Sequence, residues 1–520
     1  MNGQTMLLPD LLQGLMPADQ IPAACSQVVT SLTCDSRAVQ IGTVFFAIKG
    51  SHVDGHDFIP MAIRQGAIAI VLEDAQHSVK EVPCLVVPNV RRTMAQMAAR
   101  FFGEPTISRP LIGITGTNGK TTTTYLVESI LTTAGIPTAV LGTISYRFGS
   151  TTLQASHTTP ESTELQAAFS QLAAAGAQAY VMEVSSHALE QFRVDGSDFN
   201  IGVFTNLTRD HLDYHGTMEA YRQAKVRLFE ELLKPVPDQP KKLKAAVINY
   251  DDPSFPFFME HTACPVISYG LQQGANVTAE SIDMTTDGTS GVLVTPTGKA
   301  VFHSKLLGTY NIQNILAAAG AGYALGLTPE TIARGIETQT NVPGRLERVD
   351  NSCGITCLVD YAHTGDALEN VLKTLKSLDH NRIITVFGCG GDRDKGKRPV
   401  MGAIATSYSD ITIVTSDNPR TETASAILED IIAGITGEGV HYIPFTEGTC
   451  PLETPLSPWY TVVENRRDAI WRALALAKPG DIVLIAGKGH EDYQIIGTEK
   501  TFFDDRLIAK EAIEECQHAI

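Results

Sequence analysis

A glycine-rich turn between an apolar run and a helical stretch is the sharpest chemical signal in the sequence. The apolar run covers residues 111–115, and the turn after it consists of Gly116, Thr117, Asn118, Gly119, Lys120, Thr121 and Thr122. Glycines let a backbone wrap around a phosphate, and the N-terminus of the next helix presents unpaired N–H groups to it. The Lys120 ammonium would neutralise β- and γ-phosphates, and the Thr121 hydroxyl would reach Mg²⁺. The turn therefore predicts a nucleotide phosphate site.

The spacing of this turn departs from the general GxxxxGK[ST] pattern. The first glycine of that pattern is replaced by Ile114, and the following helix is expected to end near Gly135. An ordinary glycine-rich turn before a helix is therefore the alternative interpretation.

Two further polar residues stand where a phosphate site needs them. Glu183 ends the apolar run 179–182, where a second Mg²⁺ ligand or a water-orienting carboxylate is required. His211 lies in the polar stretch 206–213 and could act in the same way. A solvated carboxylate at a strand end and a structural loop histidine are the alternatives.

Polar clusters also follow three apolar runs in the C-terminal third. They cover residues 388–394, 417–420 and 487–492. In doubly wound sheets ligands gather at the carboxyl ends of the strands. The three clusters therefore predict a second ligand site.

These residues need an α/β scaffold with several domains to position them. Residues 1–104 contain short strand-like runs, such as 44–48 and 67–72, and breaks rich in glycine and proline follow at 103–110 and 342–345. Beyond the first break apolar runs alternate with helical stretches, which indicates mostly parallel sheets. Strands are predicted at 179–183, 201–205, 245–249, 356–360, 383–387, 411–415 and 482–486.

The composition limits the partners and the compartment. The 520 residues carry a formal charge of −17, which disfavours nucleic acid and anionic membranes. No Lys or Arg precedes Arg37, and no apolar run approaches the roughly 18–20 residues of a membrane span. The nine cysteines are scattered and are interpreted as free thiols in a reducing compartment. We therefore expect a cytoplasmic protein that binds neither nucleic acid nor membrane.

Taken together, the motifs resemble the Mur ligase family of peptidoglycan synthesis along nearly the whole chain. The resemblance is carried by GTNGKTTT at 116–123, HTTPE at 157–161, EVSSHAL at 183–189, NLTRDHLDYHG at 206–216, GTYNIQN at 308–314, PGRLE at 343–347, VDYAHT at 359–364, GCGGDRDKGKRP at 388–399, DNPR at 417–420 and GKGHEDYQ at 487–494. It implies an ATP-dependent ligase that works through an acyl phosphate. The implied domains are an N-terminal α/β UDP-sugar domain at 1–107, a central ATP-binding P-loop domain with a parallel sheet at 108–343, and a C-terminal Rossmann-like amino-acid domain at 344–520.

The DNPR motif resembles the branch that adds meso-2,6-diaminopimelate to UDP-N-acetylmuramoyl-L-alanyl-D-glutamate. Diaminopimelate has a distal carboxylate that lysine lacks, and a guanidinium can grip it through two hydrogen bonds. Arg420 and Arg393 would hold carboxylate, and Glu491 would pair with an ammonium group. The implied diaminopimelate residues are Arg393, Asp417, Asn418, Pro419, Arg420, Gly487 and Glu491. A surface arginine is the alternative for Arg420.

The resemblance also assigns residues to the other two substrates. The UDP-sugar-peptide would contact Cys34, Ser36, Ser51, His52, Val53, His157, Thr158, Thr159, Ser185, Gln191 and Arg193. Position 157 departs from the family, where asparagine is common. ATP would contact the turn at 116–122 together with Asn311, Asn314, Arg345 and Asp360. Asn311 and Asn314 are three residues apart and so share one helical face.

Catalysis and metal binding would fall to a small set of residues. By resemblance, the catalytic residues are Lys120, Glu183, His211 and Lys225, and two Mg²⁺ ions would be held by Thr121, Glu183, His211 and Lys225. Lys225 would act as a carbamate, N6-carboxylysine, because a bare ammonium would repel the metal. A solvated helical lysine is the alternative.

Other functions stay open at this point. They are the lysine-adding ligase of the same family, a ligase similar to folylpolyglutamate synthase, and a nucleotide-binding protein without catalysis. We expect a monomer that acts on small molecules only. The proline-rich stretch 441–461 is interpreted as a surface loop.

Overall fold

Parallel sheets covered by helices form most of the structure, a computed structural model that describes residues 4–15, 27–50, 53–155, 157–235, 243–437, 439–444 and 458–518. Ser51 and His52, and most of the proline-rich stretch, lie outside the described residues. The chain divides into two compact units. Unit 1 comprises residues 1–278, 294–298 and 315–335, and unit 2 comprises residues 279–293, 299–314 and 336–520.

The N-terminal part of unit 1 is built on a small parallel sheet in the order β3-β4-β5-β6. Its elements are β1 (Met6–Leu7), α1 (Leu8–Leu12), β2 (Val28–Val29), β3 (Ser31–Thr33), β4 (Thr43–Phe46), α2 (Ile59–Arg64), β5 (Ala67–Leu72), β6 (Cys84–Val86) and α3 (Val90–Phe101). Strands β1 and β2 pair separately and antiparallel. Helix α3 buries an apolar face that includes Met94, Met97 and Phe101 against this sheet.

The larger sheet of unit 1 has eight strands in the order β10-β9-β8-β11-β7-β12-β13-β14. Its elements are β7 (Leu111–Thr115), α4 (Lys120–Thr133), β8 (Thr138–Leu141), β9 (Tyr146–Phe148), β10 (Thr151–Leu153), α5 (Ser162–Ala174), β11 (Ala179–Glu183), α6 (Ser186–Glu190), β12 (Ile201–Phe204), α7 (Leu212–His215), α8 (Met218–Arg227), β13 (Ala245–Asn249), α9 (Phe255–Glu260) and β14 (Val266–Tyr269). Strands β8, β11, β7, β12, β13 and β14 run parallel. Strand β7 lies between β11 and β12. Strands β8 to β11 lie on one side of it in the sheet, and strands β12 to β14 lie on the other. A loop that follows β7 therefore sits at a switch point, where ligands bind in such sheets.

A three-stranded sheet and two helices follow. The strands are β15 (Thr278–Thr285), β16 (Gly288–Thr295) and β17 (Gly298–Ser304), and the helices are α10 (Thr309–Ala324) and α11 (Pro329–Thr338). The sheet order is β15-β16-β17.

The main sheet of unit 2 has seven strands in the order β18-β19-β24-β20-β21-β23-β22. The remaining elements are β18 (Glu347–Val349), β19 (Thr356–Asp360), α12 (Gly365–Ser377), β20 (Ile383–Phe387), α13 (Lys397–Tyr408), β21 (Ile411–Val414), α14 (Ala424–Ile432), β22 (His441–Tyr442), β23 (Trp459–Val462), α15 (Arg466–Leu476), β24 (Ile482–Ala486), β25 (Tyr493–Ile496), β26 (Glu499–Phe502) and α16 (Asp505–His518). All neighbours except the antiparallel pair β18 and β19 run parallel. The carboxyl ends of β20, β21 and β24 therefore meet at one edge.

These observations confirm the predicted α/β fold class. The central strands of both large sheets are buried along their whole length, which is why they appear in the sequence as unbroken apolar runs. Among the described residues, every helix is too short or too polar to cross a bilayer.

Candidate active site

The turn after β7 has the backbone shape of a phosphate loop. Gly116 and Gly119 have φ angles of 149° and 85°, in the region that favours glycine. A Cβ atom at Gly116 would lie 1.9 Å from Thr205 Oγ1, so a side chain there would collide with the end of β12. Helix α4 begins directly after Gly119, and its first N–H groups therefore face the turn.

The shape of this loop is fixed from outside by the residues that follow β12. The Thr117 N–H donates to Asn206 O at 2.9 Å, and the Asn118 N–H donates to Asn206 Oδ1 at 2.9 Å. In return the Thr205 hydroxyl donates to Asn118 O at 2.7 Å. Hydrogen bonds with the two residues that follow β12 therefore fix the conformation of the loop.

Two lysines direct their ammonium groups to the same carbonyl of the loop. Lys120 Nζ donates to Gly116 O at 3.0 Å, and Lys225 Nζ donates to the same oxygen at 2.9 Å. The side chain of Lys225, on α8, is fully buried and also lies over the Tyr221 ring. Burial, and then the charge of Lys120, hold the pKa of Lys225 well below its usual range. Lys225 is therefore not a solvated helical lysine.

Glu183 and Thr121, both predicted to serve a phosphate site, lie in contact beside the loop. The Thr121 hydroxyl donates to Glu183 Oε1 at 3.0 Å. The backbone N–H of Thr143 donates to the same oxygen at 2.9 Å, and its hydroxyl donates to Oε2 at 3.1 Å. Only 1% of Glu183 is exposed, so it is not the solvated strand-end carboxylate of the alternative interpretation.

His211 lies at the entrance to α7 in a left-handed backbone conformation. Its φ angle is 52°, which is unusual for a residue with a side chain. Burial lowers the pKa of the imidazole, Asp210 opposes that shift, and Lys120 and Lys225 add to it. His211 is thus within electrostatic range of Lys120 in the loop and of Lys225 on α8.

Residues predicted to hold the peptide arm of the sugar nucleotide surround the strand end of β11. The Thr159 hydroxyl donates to Glu183 O at 2.8 Å and accepts from the Ser185 N–H at 3.1 Å. Thr158 Oγ1 lies 3.1 Å from Thr143 Oγ1, beside the carboxylate of Glu183. Thr158, Thr159 and Ser185 therefore form one polar wall next to the phosphate loop.

Arg193 continues this wall. Its guanidinium donates to Thr159 O at 3.0 Å and to Gln191 Oε1 at 2.8 Å, and it pairs with Glu161 at 3.1 Å. The side chain of His157 is exposed, and its contact with substrate stays a prediction.

Three of the predicted residues of the N-terminal part, Cys34, Ser36 and Val53, lie within the described residues. Cys34 follows β3, Ser36 starts a short 3₁₀ turn and is buried, and Val53 is exposed. Burial, and then the charge of Glu161, raise the pKa of the Cys34 thiol to about 11. Arg91 on α3 pairs with the same Glu161 at 3.5 Å. The Cys34 thiol is therefore within electrostatic range of Glu161, the carboxylate that also pairs with Arg193.

The residues predicted to contact the nucleotide base lie in unit 2. Asn311 and Asn314 share one face of α10, where Asn314 Nδ2 donates to Asn311 Oδ1 at 2.9 Å. Asp360 accepts from the backbone N–H groups of Leu346 and Ala362 at 2.7 and 2.8 Å, so it holds the turn that carries Arg345. Their contact with ATP stays a prediction.

In unit 2 the loops after β21 and β24 bring predicted amino-acid-binding residues together. Asn418 Nδ2 donates to Glu491 Oε2 at 3.0 Å. Asp417 is buried, and Gln494 Nε2 donates to its carbonyl at 2.8 Å. Gly487 packs so closely on this residue that a Cβ atom would lie 2.6 Å from Asp417 Oδ2.

The two predicted arginines lie on adjoining loops. Arg420, which follows the buried Pro419, has a φ of 52° and donates from Nη1 to Gly391 O at 2.8 Å. Its backbone N–H donates to Ile495 O at 3.1 Å, so the loop is fixed on both sides. Arg393 is exposed on the loop after β20.

An ion-pair network ties these two loops to each other. Arg398 has no exposed side-chain surface and donates to both oxygens of Glu422, at 2.8 and 3.0 Å. Glu422 in turn accepts from the Asp392 N–H at 2.7 Å, and Thr421 donates from its hydroxyl to Asp392 Oδ1 at 2.7 Å. The Arg398–Glu422 pair therefore links the loop that carries Arg393 to the loop that carries Arg420.

Comparison with known proteins decides the family. Models described as "Mur ligase family, catalytic domain", "Mur ligase middle domain" and "Mur ligase, glutamate ligase domain" match residues 28–102, 114–322 and 344–489. The chain belongs to the Mur ligase family. A relative from Geobacter metallireducens named UDP-N-acetylmuramoyl-L-alanyl-D-glutamate--2,6-diaminopimelate ligase is 54% identical over 98% of this chain and 99% of its own length.

Solved structures are also similar to this chain. A structure titled as UDP-N-acetylmuramoyl-L-alanyl-D-glutamate--2,6-diaminopimelate ligase superposes with a TM-score of 0.71 at 34% identity and covers 99% of both chains. A folylpolyglutamate synthase from Mycobacterium tuberculosis, solved with ADP, gives a TM-score of 0.60 at 19% identity over 76% of this chain and 92% of its own. That second likeness shows the shared fold alone.

The sequence interpretation assigned no role to two residues that contact candidate site residues of this Mur ligase. Thr143, which binds both oxygens of Glu183, follows β8 without any motif to mark it. Lys488 is fully buried beside Asn418 and Glu491. The sequence did contain a pattern that could have indicated Lys488, which lies between two glycines at the end of a strand. Glycines allow backbone conformations that can direct the residue between them towards the interior.

Proposed function

We propose that this Mur ligase joins meso-2,6-diaminopimelate to UDP-N-acetylmuramoyl-L-alanyl-D-glutamate, with ATP hydrolysed to ADP and phosphate. The observation that carries the proposal is the phosphate loop in which Lys120, Lys225 and the Thr121–Glu183 pair converge. The substrates are supported by the names of relatives that match nearly the whole chain. The DNPR loop, in which hydrogen bonds fix Arg420 on both sides, supports diaminopimelate as the amino-acid substrate.

The chemistry divides into two steps. A carboxylate oxygen of the D-glutamyl residue attacks the γ-phosphorus of ATP, the bond from that phosphorus to the bridging oxygen breaks, and ADP leaves with the electron pair. The amine of diaminopimelate then attacks the acyl carbon, and inorganic phosphate leaves while the nitrogen loses a proton. The protein's task in such transfers is to position the reactants and to offset charge. Lys120 supplies positive charge at the loop.

The residues around the loop suit Mg²⁺. Thr121 Oγ1 and Glu183 Oε1 lie 3.0 Å apart and are the hard oxygen donors that this ion prefers. No cluster of three His, Cys, Asp or Glu side chains forms a ready metal site within the described ranges, so other ligands are needed. When bound, Mg²⁺ would screen the repulsion between the carboxylate and the phosphates.

Lys225 suits the role of a carbamate ligand. A buried lysine whose pKa is lowered gives up its proton more readily, and the neutral amine so formed can add to carbon dioxide with loss of a further proton. The product is an anion whose oxygens can reach a hard cation, whereas an ammonium would repel it. We assign Lys225 as N6-carboxylysine and His211 as its neighbour at the metal.

The other predicted contacts complete the proposal. The wall of Thr158, Thr159, Ser185 and Arg193 would hold the peptide arm, and Glu491 would accept the ammonium of the incoming amino acid. We further propose that the enzyme is a monomer that works in the cytoplasm on small molecules.

The test is phosphate release from ATP by the purified chain. With the UDP-dipeptide and Mg²⁺, meso-diaminopimelate should support turnover, and L-lysine should support at most about one hundredth of that rate, because a missing carboxylate leaves polar groups unpaired. Equal rates with lysine would favour the lysine-adding activity. Release with a folate substrate instead would favour the folylpolyglutamate-synthase alternative, and ATP binding without any release would favour the non-catalytic one.

Arg420→Met sharpens this test. The variant should raise KM for diaminopimelate about tenfold or more while KM for ATP changes by less than about twofold, because a charge-assisted contact to one substrate is lost. An unchanged KM for diaminopimelate would count against the assignment of Arg420.

A further inference from the structure

Lys488, in the GKGHEDYQ motif, is a buried cation at the candidate amino-acid site to which neither the sequence analysis nor the proposed reaction assigns a role. It follows β24 directly, and its side chain has no exposed surface. Its Nζ donates to Asn418 Oδ1 at 3.1 Å and lies 3.4 Å from Glu491 Oε2. A lysine is almost never fully buried unless it is paired.

The ammonium group dictates which way the Asn418 amide points. A lysine has donors only, so the atom of Asn418 that faces it must be the carbonyl oxygen. The backbone N–H of Ile495 donates to the same oxygen at 3.0 Å. The amide nitrogen is thereby turned to Glu491 Oε2, to which it donates at 3.0 Å.

The two carboxylate oxygens of Glu491 have different partners. Oε2 is bound by Asn418 and Lys488, whereas Oε1 lies 3.5 Å from the Tyr361 hydroxyl, and the Tyr493 hydroxyl also hydrogen-bonds to the Glu491 carboxylate. The side chain of Glu491 is 16% exposed, so it is largely desolvated. Desolvation of a carboxylate is costly without a nearby counter-charge, which Lys488 provides.

We propose that Lys488 is a positioning residue for the incoming amino acid. It fixes the orientation of Asn418 and holds Oε2 of Glu491, so that Oε1 is presented to an amino group of the substrate. The inference rests on the proposed function, since it takes Glu491 as the acceptor of that amino group.

The test compares substrate affinities of Lys488→Met and Lys488→Gln with those of the wild type. Methionine keeps the length of the side chain and removes both the charge and the donor. We expect KM for diaminopimelate to rise about tenfold or more, with KM for ATP and for the UDP-dipeptide within about twofold, because a buried pair loses one partner. Glutamine retains a donor for Asn418 without the charge, and KM should be intermediate.

Lys244→Met is the matched control. Lys244 is 9% exposed in unit 1, where its Nζ pairs with Asp198 Oδ1 at 2.7 Å and donates to Phe199 O. It is thus a buried, paired lysine outside both candidate sites. Its loss should lower the thermal midpoint of unfolding without a selective change in KM for diaminopimelate.

Each outcome decides the inference. It is overturned if Lys488→Met folds and keeps the wild-type KM for diaminopimelate, or if KM rises equally for all three substrates. It is also overturned if both Lys488 variants fail to fold while Lys244→Met folds, because the role is then structural. A wild-type enzyme that releases no phosphate with diaminopimelate would instead refute the proposed function.

Discussion

The carbonyl oxygen of Gly116 accepts hydrogen bonds from two lysines, Lys120 and Lys225. Two ammonium groups on one acceptor repel each other, and the more deeply buried one bears the larger cost of its charge. Only Lys225 is fully buried. Residue chemistry in this loop therefore favours a charge-changing modification at Lys225, whereas Lys120 keeps the charge that a phosphate needs.

Replacing Lys225 tests this difference between the lysines. In Lys225→Ala, phosphate release should fall about a hundredfold or more, because the proposed carbamate ligand of Mg²⁺ is lost. Added formate or acetate should restore part of the rate, since a small carboxylate can take the place of the carbamate. Chloride at the same ionic strength should restore none, and Lys120→Ala should not respond to either acid. A Lys225→Ala variant with the wild-type rate would disprove the carbamate.

Gly142 offers a second test on the residue scale. An added Cβ atom would lie 2.4 Å from Glu183 Oε1, so Gly142→Ala should push the carboxylate away from Thr121. We expect kcat to fall about tenfold or more, because small displacements in a catalytic site are expensive. In the control, Gly437→Ala, the methyl would meet only the tip of Val440 at 3.1 Å, and kcat should be retained. Steady-state phosphate release measures both, and a normal kcat for Gly142→Ala would refute the role of Glu183.

On the scale of elements, helix α13 connects the two arginine-bearing loops of unit 2. Its buried Arg398 holds Glu422, which follows the DNPR motif, and Glu422 holds the backbone of the loop after β20. Hydrogen bonds from Arg398, then from the Asp392 N–H and Lys395, keep the pKa of Glu422 well below its usual range. The loops thus depend on an ionised carboxylate.

The stabilisation that Glu422 provides should decrease as the pH falls. Because the pKa of Glu422 is lowered by folding, its stabilisation is fully present above the unfolded pKa of about 4.3 and is lost as pH falls towards the folded pKa. The midpoint of thermal unfolding of Glu422→Gln should therefore lie below that of the wild type at pH 7, and the gap should narrow below about pH 4. Glu429→Gln, at an exposed position on α14, should show no gap at either pH. A gap that stays constant with pH would contradict the network.

The strands were the predictable part of the fold. The bounds 179–183, 245–249, 356–360, 383–387 and 482–486 agree with the structure because each strand is buried on both faces and is therefore apolar throughout. The strands at 201–205 and 411–415 end one residue earlier than predicted, and the strand at 44–48 begins one residue earlier and ends two earlier.

The site was predictable only where a side chain has a local motif. The Thr121–Glu183 contact followed from a loop and a strand end that a parallel sheet must bring together. The burial of Lys225 could not be predicted from spacing, since a helical lysine looks the same whether its partner is water or a loop distant in sequence. Lys488 was missed for the same reason, because its partner Asn418 lies 70 residues earlier.

On the scale of the whole molecule, α3 fixes the N-terminal part of unit 1 to the large sheet. Arg92 pairs with Asp195 at 3.0 Å and with Glu231 at 2.6 Å. Beside these pairs Gly196 lies directly against α3, where an added Cβ atom would be 2.1 Å from Ala95 O. The ion pairs are partly exposed and contribute little, so the close backbone contact sets the geometry.

Gly196→Ala and Arg92→Ala test whether the close backbone contact or the ion pairs fix α3 to the large sheet. For Gly196→Ala we expect the free energy of unfolding to fall by about 1–3 kcal/mol from overpacking, and KM for the UDP-dipeptide to rise several-fold, since Cys34 and Arg193 lie on opposite sides of the junction. Arg92→Ala should cost at most about 1 kcal/mol and leave that KM nearly unchanged. Denaturant unfolding and initial rates measure both, and equal effects of the two substitutions would refute the steric account.

The bonds that shape the phosphate loop come from residues far along the chain, with Asn118 and Asn206 separated by 88 positions. A ribosome adds roughly 5–20 residues per second, so the loop must wait about 4–18 s after its own synthesis for the partner that holds it open. Until then its glycines keep their conformational freedom. A nascent chain truncated before residue 206 should therefore carry the complete nucleotide motif and yet fail to retain ATP.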